Sequence, residues 1–363
     1  MSEFQVLKQK LSDTRVVATP AVDETAQLEA GELLLKVDTY SYTANNITYG
    51  VAGDQLGYWH FFPAQDAEHE GWGIIPVWGF GTVIGSNCEG VEKGERVFGY
   101  FPSANYLKMS NVHVSGTKLV DGAAHRSQLP PAYNRYRRVN FEPGYRPELD
   151  AAMMLLWPLH VTSFSLWDKL VMHDYFGAKQ VLVISASSKT SLGLGFALSQ
   201  DGDAPKSIGV TSAGNKAWVE SVNLYDDVIS YDQVTNLDNT ETVIVDMAGN
   251  AGLLNELQAH LGDNLKYCLS VGLTHYEQMH AEVTLPKDRK EFFFAPGHIQ
   301  ERIKQWGPEE FDKRSTGFLA KSTAHSQNWM KVRTVEGLEG LKDVYPDIAN
   351  GKVPPQDGII VKM

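Results

Sequence analysis

Five short apolar runs of β type recur through the middle of the chain: QVLVISAS from Gln180, SIGVTSA from Ser207, DVIS from Asp227, TVIVDMAG from Thr242 and LKYCLSVG from Leu265. The stretches between them, TSLGLGFALSQ, NKAWVESVNLY and AGLLNELQAHLG, have the length and apolar spacing of helices that bury one face. Strands alternating with helices at this interval need crossover connections, which are right-handed and lay the strands parallel. The pattern predicts α/β architecture with a parallel sheet, which by default is nucleotide-binding.

The flanks read differently. The first hundred or so residues are rich in glycine and alternate in period two, as in GELLLKVDTYSYT, IPVWGFGTVIGS and GERVFGYFPS, which predicts short strands of a small barrel or sandwich. Residues 121–149 are rich in proline and arginine and show no period, so they are read as a long excursion or lid. A helical stretch over 299–306 stops at Gly307-Pro308. The C-terminal residues predict a strand, a helix ended by Asn350-Gly351 and a closing strand.

With 363 residues, 43% hydrophobic and 21% charged, the chain is expected to form two globular domains. A formal net charge of −12 argues against a surface made for nucleic acid or an anionic membrane. Cys88 and Cys268 are too few for a disulfide framework or a four-thiolate zinc site and fit a reducing compartment. The start MSEFQVLKQKLSD lacks the pattern of a secretory signal, so a cytoplasmic location is expected. The apolar stretch 151–164, interrupted by Pro158 and His160, is short for a bilayer and is assigned to a core.

After the first parallel strand comes Ser185-Ala186-Ser187-Ser188-Lys189-Thr190-Ser191 and then a helix. A dinucleotide fold places a tight turn here, with backbone N–H groups facing a pyrophosphate, and glycines are usual because the backbone approaches closely. Serines stand at the expected glycine positions 185, 188 and 191. Three readings remain open: a modified phosphate turn holding ligand through Ser185, Ser187, Ser188, Lys189 and Thr190; a P-loop, whose two glycines are absent; or a serine-rich helix cap. The second strand ends in Thr211-Ser212-Ala213-Gly214-Asn215-Lys216, without the acid that binds a ribose 2′-hydroxyl in NAD sites. Thr211, Ser212, Asn215 and Lys216 suit a 2′-phosphate, so NADP(H) is favoured over NAD(H), unless Lys216 is only a solvated helix residue. Tyr231 is either an adenosine contact or ordinary packing.

The order of segments, LLWPLHVTSFSLWDKL before VLVISASSKTSLGLGFA, then VTSAGNKAWVESVNLYDDVISYD, VIVDMAGN and IANGKVPPQDGIIVKM, resembles the medium-chain dehydrogenase/reductase superfamily, and within it the zinc-independent quinone-reductase-like branch. ASSKT and TANNITY resemble a poorly characterised subfamily. The resemblance implies a GroES-like β-barrel catalytic domain from residues 1–150 and 323–363, a Rossmann-type cofactor domain over 151–322, a substrate cleft where they meet, and a homodimer. It implies hydride transfer between NADPH and an activated C=C or C=O bond of a small molecule. Zinc-dependent relatives use an early Cys, a Gly-His-Glu motif and a later Cys. Here no Cys precedes Cys88 and only His69-Glu70 mimics the pair, so no metal is expected.

By the same resemblance Thr43-Ala44-Asn45-Asn46 falls at the cleft floor, where Thr43, Asn45 and Asn46 would orient a substrate oxygen; a simple turn is the competing reading. In the aromatic cluster 57–63, Tyr58 is a candidate proton donor with Trp59, Phe61 and Phe62 as walls, against a plain aromatic hairpin. His160 and Thr162 precede the cofactor domain near the expected nicotinamide position; His160 is read as packed or as an acid. Arg126, Arg135, Arg137, Arg138 and Arg146 read either as a solvated face or as a lid over an anionic substrate or the 2′-phosphate. The expected function is that of an NADPH-dependent reductase with a small-molecule partner and no nucleic-acid or membrane partner. A non-catalytic NADP(H) sensor and a non-redox lyase or isomerase are the alternatives.

Overall fold

The computed structural model describes residues 1–20, 27–65, 71–142, 144–271 and 285–363. The acidic run 66–70, with His69 and Glu70, lies outside the described residues. The chain divides into two compact units, Met1–Leu155 with Lys331–Met363, and Leu156–Met330.

In the discontinuous unit, β1 (Ser2–Leu7) pairs antiparallel with β2 (Lys10–Ala18) and β4 (Trp72–Gly73). A nine-stranded sheet runs β17 (Lys331–Glu336), β18 (Asp357–Lys362), β3 (Glu32–Tyr42), β5 (Val77–Asn87), β6 (Arg96–Phe101), β10 (Arg135–Arg138), β9 (Lys118–Val120) and β8 (His113–Ser115), with β7 (Tyr106–Met109) also on β3. Among the described residues its hydrogen-bonded order is an open path rather than the expected closed barrel. Alternation makes the core: Leu33, Leu35 and Val37 on β3 are fully buried. The C-terminus returns to this unit, with Ile359 opposite Tyr42 and Lys362 opposite Thr39. Helix α8 (Gly337–Ala349) buries Leu338, Leu341, Tyr345 and Ile348 at helical spacing and ends at Asn350 before Gly351, whose φ is +64°.

Residues 121–149 are not the structureless excursion expected from their composition. They supply β10 and short 3₁₀ turns, and β10 pairs with both β6 and β9. Polar and charged residues obscured the strand because β10, RYRR, alternates inward and outward, with Tyr136 and Arg138 both buried.

The unit boundary falls inside α2 (Asp150–Met172), which carries Pro158. Proline has no N–H for the carbonyl of Met154, and the Ser41 hydroxyl donates to that oxygen instead at 2.7 Å. The apolar run continues well past residue 164, so that by length and hydropathy alone Pro147–Met172 meets the requirement for crossing a membrane. Its Leu155, Leu156, Phe164, Leu166 and Leu170 are nonetheless buried in protein.

The second unit holds six parallel strands in the order β13 (Asp227–Ser230), β12 (Lys206–Thr211), β11 (Gln180–Ile184), β14 (Thr242–Asp246), β15 (Leu265–Ser270) and β16 (Lys290–Phe292). Numbered within the unit, this is the order 3-2-1-4-5-6 of dinucleotide-binding sheets. Both faces are covered. Val181 and Val183 of β11 join one apolar cluster with Leu192 and Val219, and Leu182 and Ile184 join another with Leu254 and Leu257. The crossover helices are α3 (Lys189–Ser199), α4 (Ala213–Val222) and α5 (Ala251–Leu261). After β16, α6 (Ala295–Trp306) stops at Gly307 and Pro308 opens a nineteen-residue α7 (Pro308–Ser326), which the sequence reading did not foresee.

Candidate cofactor-binding site

The strand order reverses between β12 and β14 on either side of β11, and ligands of open α/β sheets bind outside the carboxyl ends at such a point. Ser185 leaves β11 with φ +62°, the left-handed region where glycine is ordinarily required. Ser188 caps α3, its hydroxyl accepting from the Ser191 amide at 3.1 Å and donating to the Ser191 hydroxyl at 2.8 Å. The P-loop reading has no support in this geometry. The amides of Ser187 and Thr190 have no hydrogen-bond partner among the described residues, so donors remain at the turn and helix N-terminus.

A second set of bonds ties this turn to the end of β12. The Ser187 hydroxyl receives bonds from the Thr211 hydroxyl and the Asn215 amide, both at 3.3 Å. From below, the Tyr225 hydroxyl donates to the carbonyls of Ala186 and Ser191, at 3.1 and 2.8 Å. Glycines absent from the turn occur just inside α3. A Cβ on Gly193 would meet Ser163 Oγ at 2.5 Å, and one on Gly195 would meet the Tyr225 ring at 2.9 Å. These positions let the helix pack closely on α2 and on Tyr225.

Ser212 caps α4 without using its side chain, leaving the hydroxyl available. Lys216 is half-buried, with Nζ 3.4 Å from Gln233 Oε1 and 3.8 Å from Glu220. Tyr231 hydrogen-bonds Ser185 and lies near Asp246, and burial with that carboxylate pushes its hydroxyl above its ordinary value. Asp246, missed by the sequence reading, ends β14 beside Ile184 and accepts from the amides of Ala248 and Gly249 at 2.9 and 3.1 Å. Thus Ser185, Ser187, Ser188, Lys189, Thr190, Thr211, Ser212, Asn215, Lys216 and Tyr231 all come from the carboxyl-end turns of three adjacent strands or the helix starts that follow them.

The candidates in the discontinuous unit separate into structural and free groups. Asn46 is consumed by the start of α1 (Ala44–Val51): its Oδ1 accepts from the Thr43 amide at 2.7 Å and its Nδ2 donates to Pro76 O at 2.9 Å. Thr43 is the cap of that helix, accepting from the Asn45 amide at 3.2 Å. Asn45 stays half-buried and hydrogen-bonds Tyr49. The Tyr58 hydroxyl lies 3.0 Å from that of Tyr133, a residue the sequence reading overlooked inside the arginine-rich segment. Trp59 is core: a Cβ on Gly53 or Gly73 would strike its ring at 2.1 or 2.6 Å.

The arginine segment is largely neutralised from within. Arg126 pairs with Asp121 at 2.9 Å, both side chains buried; Arg138 forks onto Glu95, Arg137 onto Glu142, and Arg146 pairs with Glu148 at the surface. These pairings satisfy most of the run, which the sequence left open between a solvated face and a lid over an anion, while Arg135 stays exposed. His160 is also structural, 2.9 Å from the Ser322 hydroxyl, and burial pulls its pKa down to about 4. Thr162 bonds back to the carbonyl of Pro158. Among the described residues, no group of three or more His, Cys, Asp and Glu side chains is placed to hold a metal.

The fold matches that of CurA from Vibrio vulnificus, solved in complex with NADPH, with a TM-score of 0.65 and 13% identity over 100% of this chain and 99% of that one. Mycobacterial Rv1454c, also solved with NADPH, gives 0.59 and 15% with both chains covered fully. The CurK enoyl reductase gives 0.53 and 11%, covering 100% of this chain and 99% of its own. No curated protein matches the chain. The family model described as a protein of unknown function (DUF2855) matches residues 40–354, and the chain belongs to that family.

Proposed function

We propose that this chain is an NADP(H)-dependent, zinc-independent oxidoreductase of the medium-chain type that reduces an activated C=C or C=O bond of a small molecule. The unit Leu156–Met330 is its cofactor domain and the discontinuous unit its catalytic domain. One observation carries the reading: a 3-2-1-4-5-6 parallel sheet whose switch-point turn offers the unpaired amides of Ser187 and Thr190 beside a ring of hydroxyls. The NADPH found in CurA and Rv1454c, and the enoyl reductase activity named for CurK, support it.

In this reading Ser185, Ser187, Ser188, Lys189 and Thr190 take the pyrophosphate. Ser212, Asn215, Lys216 and Tyr231 take the 2′-phosphate, since the turn after β12 holds no carboxylate to repel it. The hydroxyl-for-glycine exchange fits because Ser185 already holds the left-handed conformation, and because Thr211 and Asn215 hold Ser187. The bound nucleotide supplies a hydride. On the substrate side, the Tyr58 hydroxyl donates to substrate oxygen, with Asn45 beside it; Thr43 and Asn46 shape the helix start that presents Asn45.

Titration with NADPH and NADH, followed by tryptophan fluorescence, tests the reading. NADPH is expected to bind more tightly, and Lys216→Ala to weaken NADPH by about tenfold or more while changing NADH little. Failure of both nucleotides to bind near millimolar concentration would sink the proposal. Tight NADPH binding without turnover of enones, quinones or aldehydes favours the sensor alternative.

A further inference from the structure

Tyr49, Tyr58, Tyr100 and Tyr133 stand in one aromatic cluster with Trp78 and Phe61. Ring centroids are 4.6 Å apart for Tyr49–Tyr58 and for Tyr100–Tyr133, 5.2 Å for Trp78–Tyr100 and 5.4 Å for Phe61–Tyr133. The segments that meet are far apart in sequence. Tyr49 comes from α1, Tyr58 from a 3₁₀ turn opened by Gly57 at φ +76°, Trp78 from β5, Tyr100 from β6 and Tyr133 from the turn begun by Pro131.

A hydrogen inventory of this cluster does not balance. Tyr49 accepts from Trp78 Nε1 at 3.1 Å and is also hydrogen-bonded to the Asn45 side chain, so its hydroxyl is already engaged. Tyr58 and Tyr133 share one hydrogen bond between two hydroxyls, so one of their protons has none. The Tyr100 hydroxyl is buried and meets no partner. Donors therefore outnumber acceptors among the described residues of the cluster. Polar groups left this way in a low-dielectric setting are unfavourable, and each calls for a partner. Tyr133, Trp78 and Asn45 are only half-buried, so the donors approach the surface on that side.

Among the described residues nothing in the cluster supplies a free positive charge. Arg126, whose guanidinium lies 4.6 Å from the Phe62 ring, is bound to Asp121 and Tyr136. A site lined by rings and rich in neutral donors selects a ligand that arrives uncharged and flat, with an acceptor oxygen that can take on negative charge. We infer that Tyr58 and Tyr133, with Tyr49 behind them, form a neutral oxyanion-type site that receives the single acceptor oxygen of a planar ligand arriving uncharged, stabilises negative charge developing on that oxygen, and discriminates against carboxylates. Tyr133 thereby acts as a positioning residue contributed by the 121–149 segment. The role in turnover rests on the reductase reading; the binding site itself does not.

The test uses the whole chain without nucleotide and 4-nitrophenol as the probe, at a pH where the free dye is half ionised. Binding is expected to raise the phenolate fraction, read from its absorbance. Tyr58→Phe and Tyr133→Phe, which keep the rings, are each expected to weaken phenolate binding by about tenfold or more, as for loss of a hydrogen bond to a charged group. Tyr40→Phe removes an equally buried, unpartnered hydroxyl outside the cluster and is expected to change nothing. Benzoate of similar size is expected to bind no better than to an unrelated protein. The inference is overturned if the dye's ionisation does not shift, as when water alone satisfies these donors, or if Tyr40→Phe matches the cluster variants. It is also overturned if benzoate binds as well as the dye. NADPH titration of the same proteins separates the two claims: lost nucleotide binding with retained dye binding refutes the reductase reading alone, and the reverse refutes this site alone.

Discussion

Replacing Arg126 by methionine probes whether the arginines of the 121–149 segment serve the fold or a ligand. Arg126 and Asp121 are 2.9 Å apart with side chains 2% and 0% exposed. At an effective dielectric of about 20, their Coulomb attraction is about 6 kcal/mol before desolvation is counted. Arg126→Met keeps much of the apolar contact over Phe62 but leaves the Asp121 carboxylate buried without its counter-charge. The amides of Ala123 and Ser110 still donate to Asp121 Oδ1, which moderates the loss. The expected penalty is about 4 kcal/mol, within the range for breaking a buried pair. For a domain of this size that lowers the melting temperature by roughly 8–16 °C. Asp121→Asn together with Arg126→Met removes both charges and is expected to recover most of the loss, so a double-mutant cycle by chemical denaturation gives a coupling of about 2 kcal/mol or more. NADPH affinity of the folded fraction should not change. The reasoning fails if Arg126→Met costs under about 1 kcal/mol, if the two losses simply add, or if nucleotide affinity falls with the arginine.

Three further outcomes follow from single contacts. His160 has its pKa lowered from 6.5 to about 4 by burial, so the unfolded chain binds the proton more tightly; stability should rise with pH between about 4 and 6.5, and fall by about 3 kcal/mol in going back down. His160→Gln should flatten that part of the stability-against-pH curve, and an unchanged slope would assign it elsewhere. Gly193→Ala puts a methyl 2.5 Å from Ser163 Oγ and 2.6 Å from His160 Cδ2; despite better helix propensity, it should destabilise by about 1–2 kcal/mol, in part relieved by Ser163→Ala, as read by thermal melting. Ser41→Ala strips the donor from the Met154 carbonyl and should cost about 1–3 kcal/mol, while adding Pro158→Ala restores an N–H and most of the stability; no rescue would refute the pairing.

Several features were legible because they are local. The apolar runs at Gln180, Ser207, Asp227, Thr242 and Leu265 became β11 to β15, since a fully buried strand needs only consecutive apolar residues bounded by turns. The serines of the turn were readable as caps, and Ser188 is one, because capping reaches only three residues. Asn45 and Asn46 show where such reading stops. They are adjacent and chemically identical, yet Asn46 is bound to the Pro76 carbonyl while Asn45 reaches Tyr49. The arginines could not be told apart for the same reason, since the acid that neutralises Arg138 is Glu95, 43 residues away. Tyr133 was invisible because its partner Tyr58 is 75 residues distant and nothing in the intervening sequence links them.

The sequence by itself determined where strands and helices alternate, that the central sheet is parallel, and that no acid follows the second strand of that sheet. These depend on hydrophobic period and crossover handedness, which act over a few residues or one connection. Only the tertiary structure decided which charges and hydroxyls already have partners. It tied most of the arginine run into ion pairs with nearby acids, made His160 a neutral core group, and left the phenols around Tyr133 with more donors than acceptors. Hydrogen bonds and ion pairs are satisfied in space by whatever the fold brings within about 3 Å, and sequence distance carries no record of that.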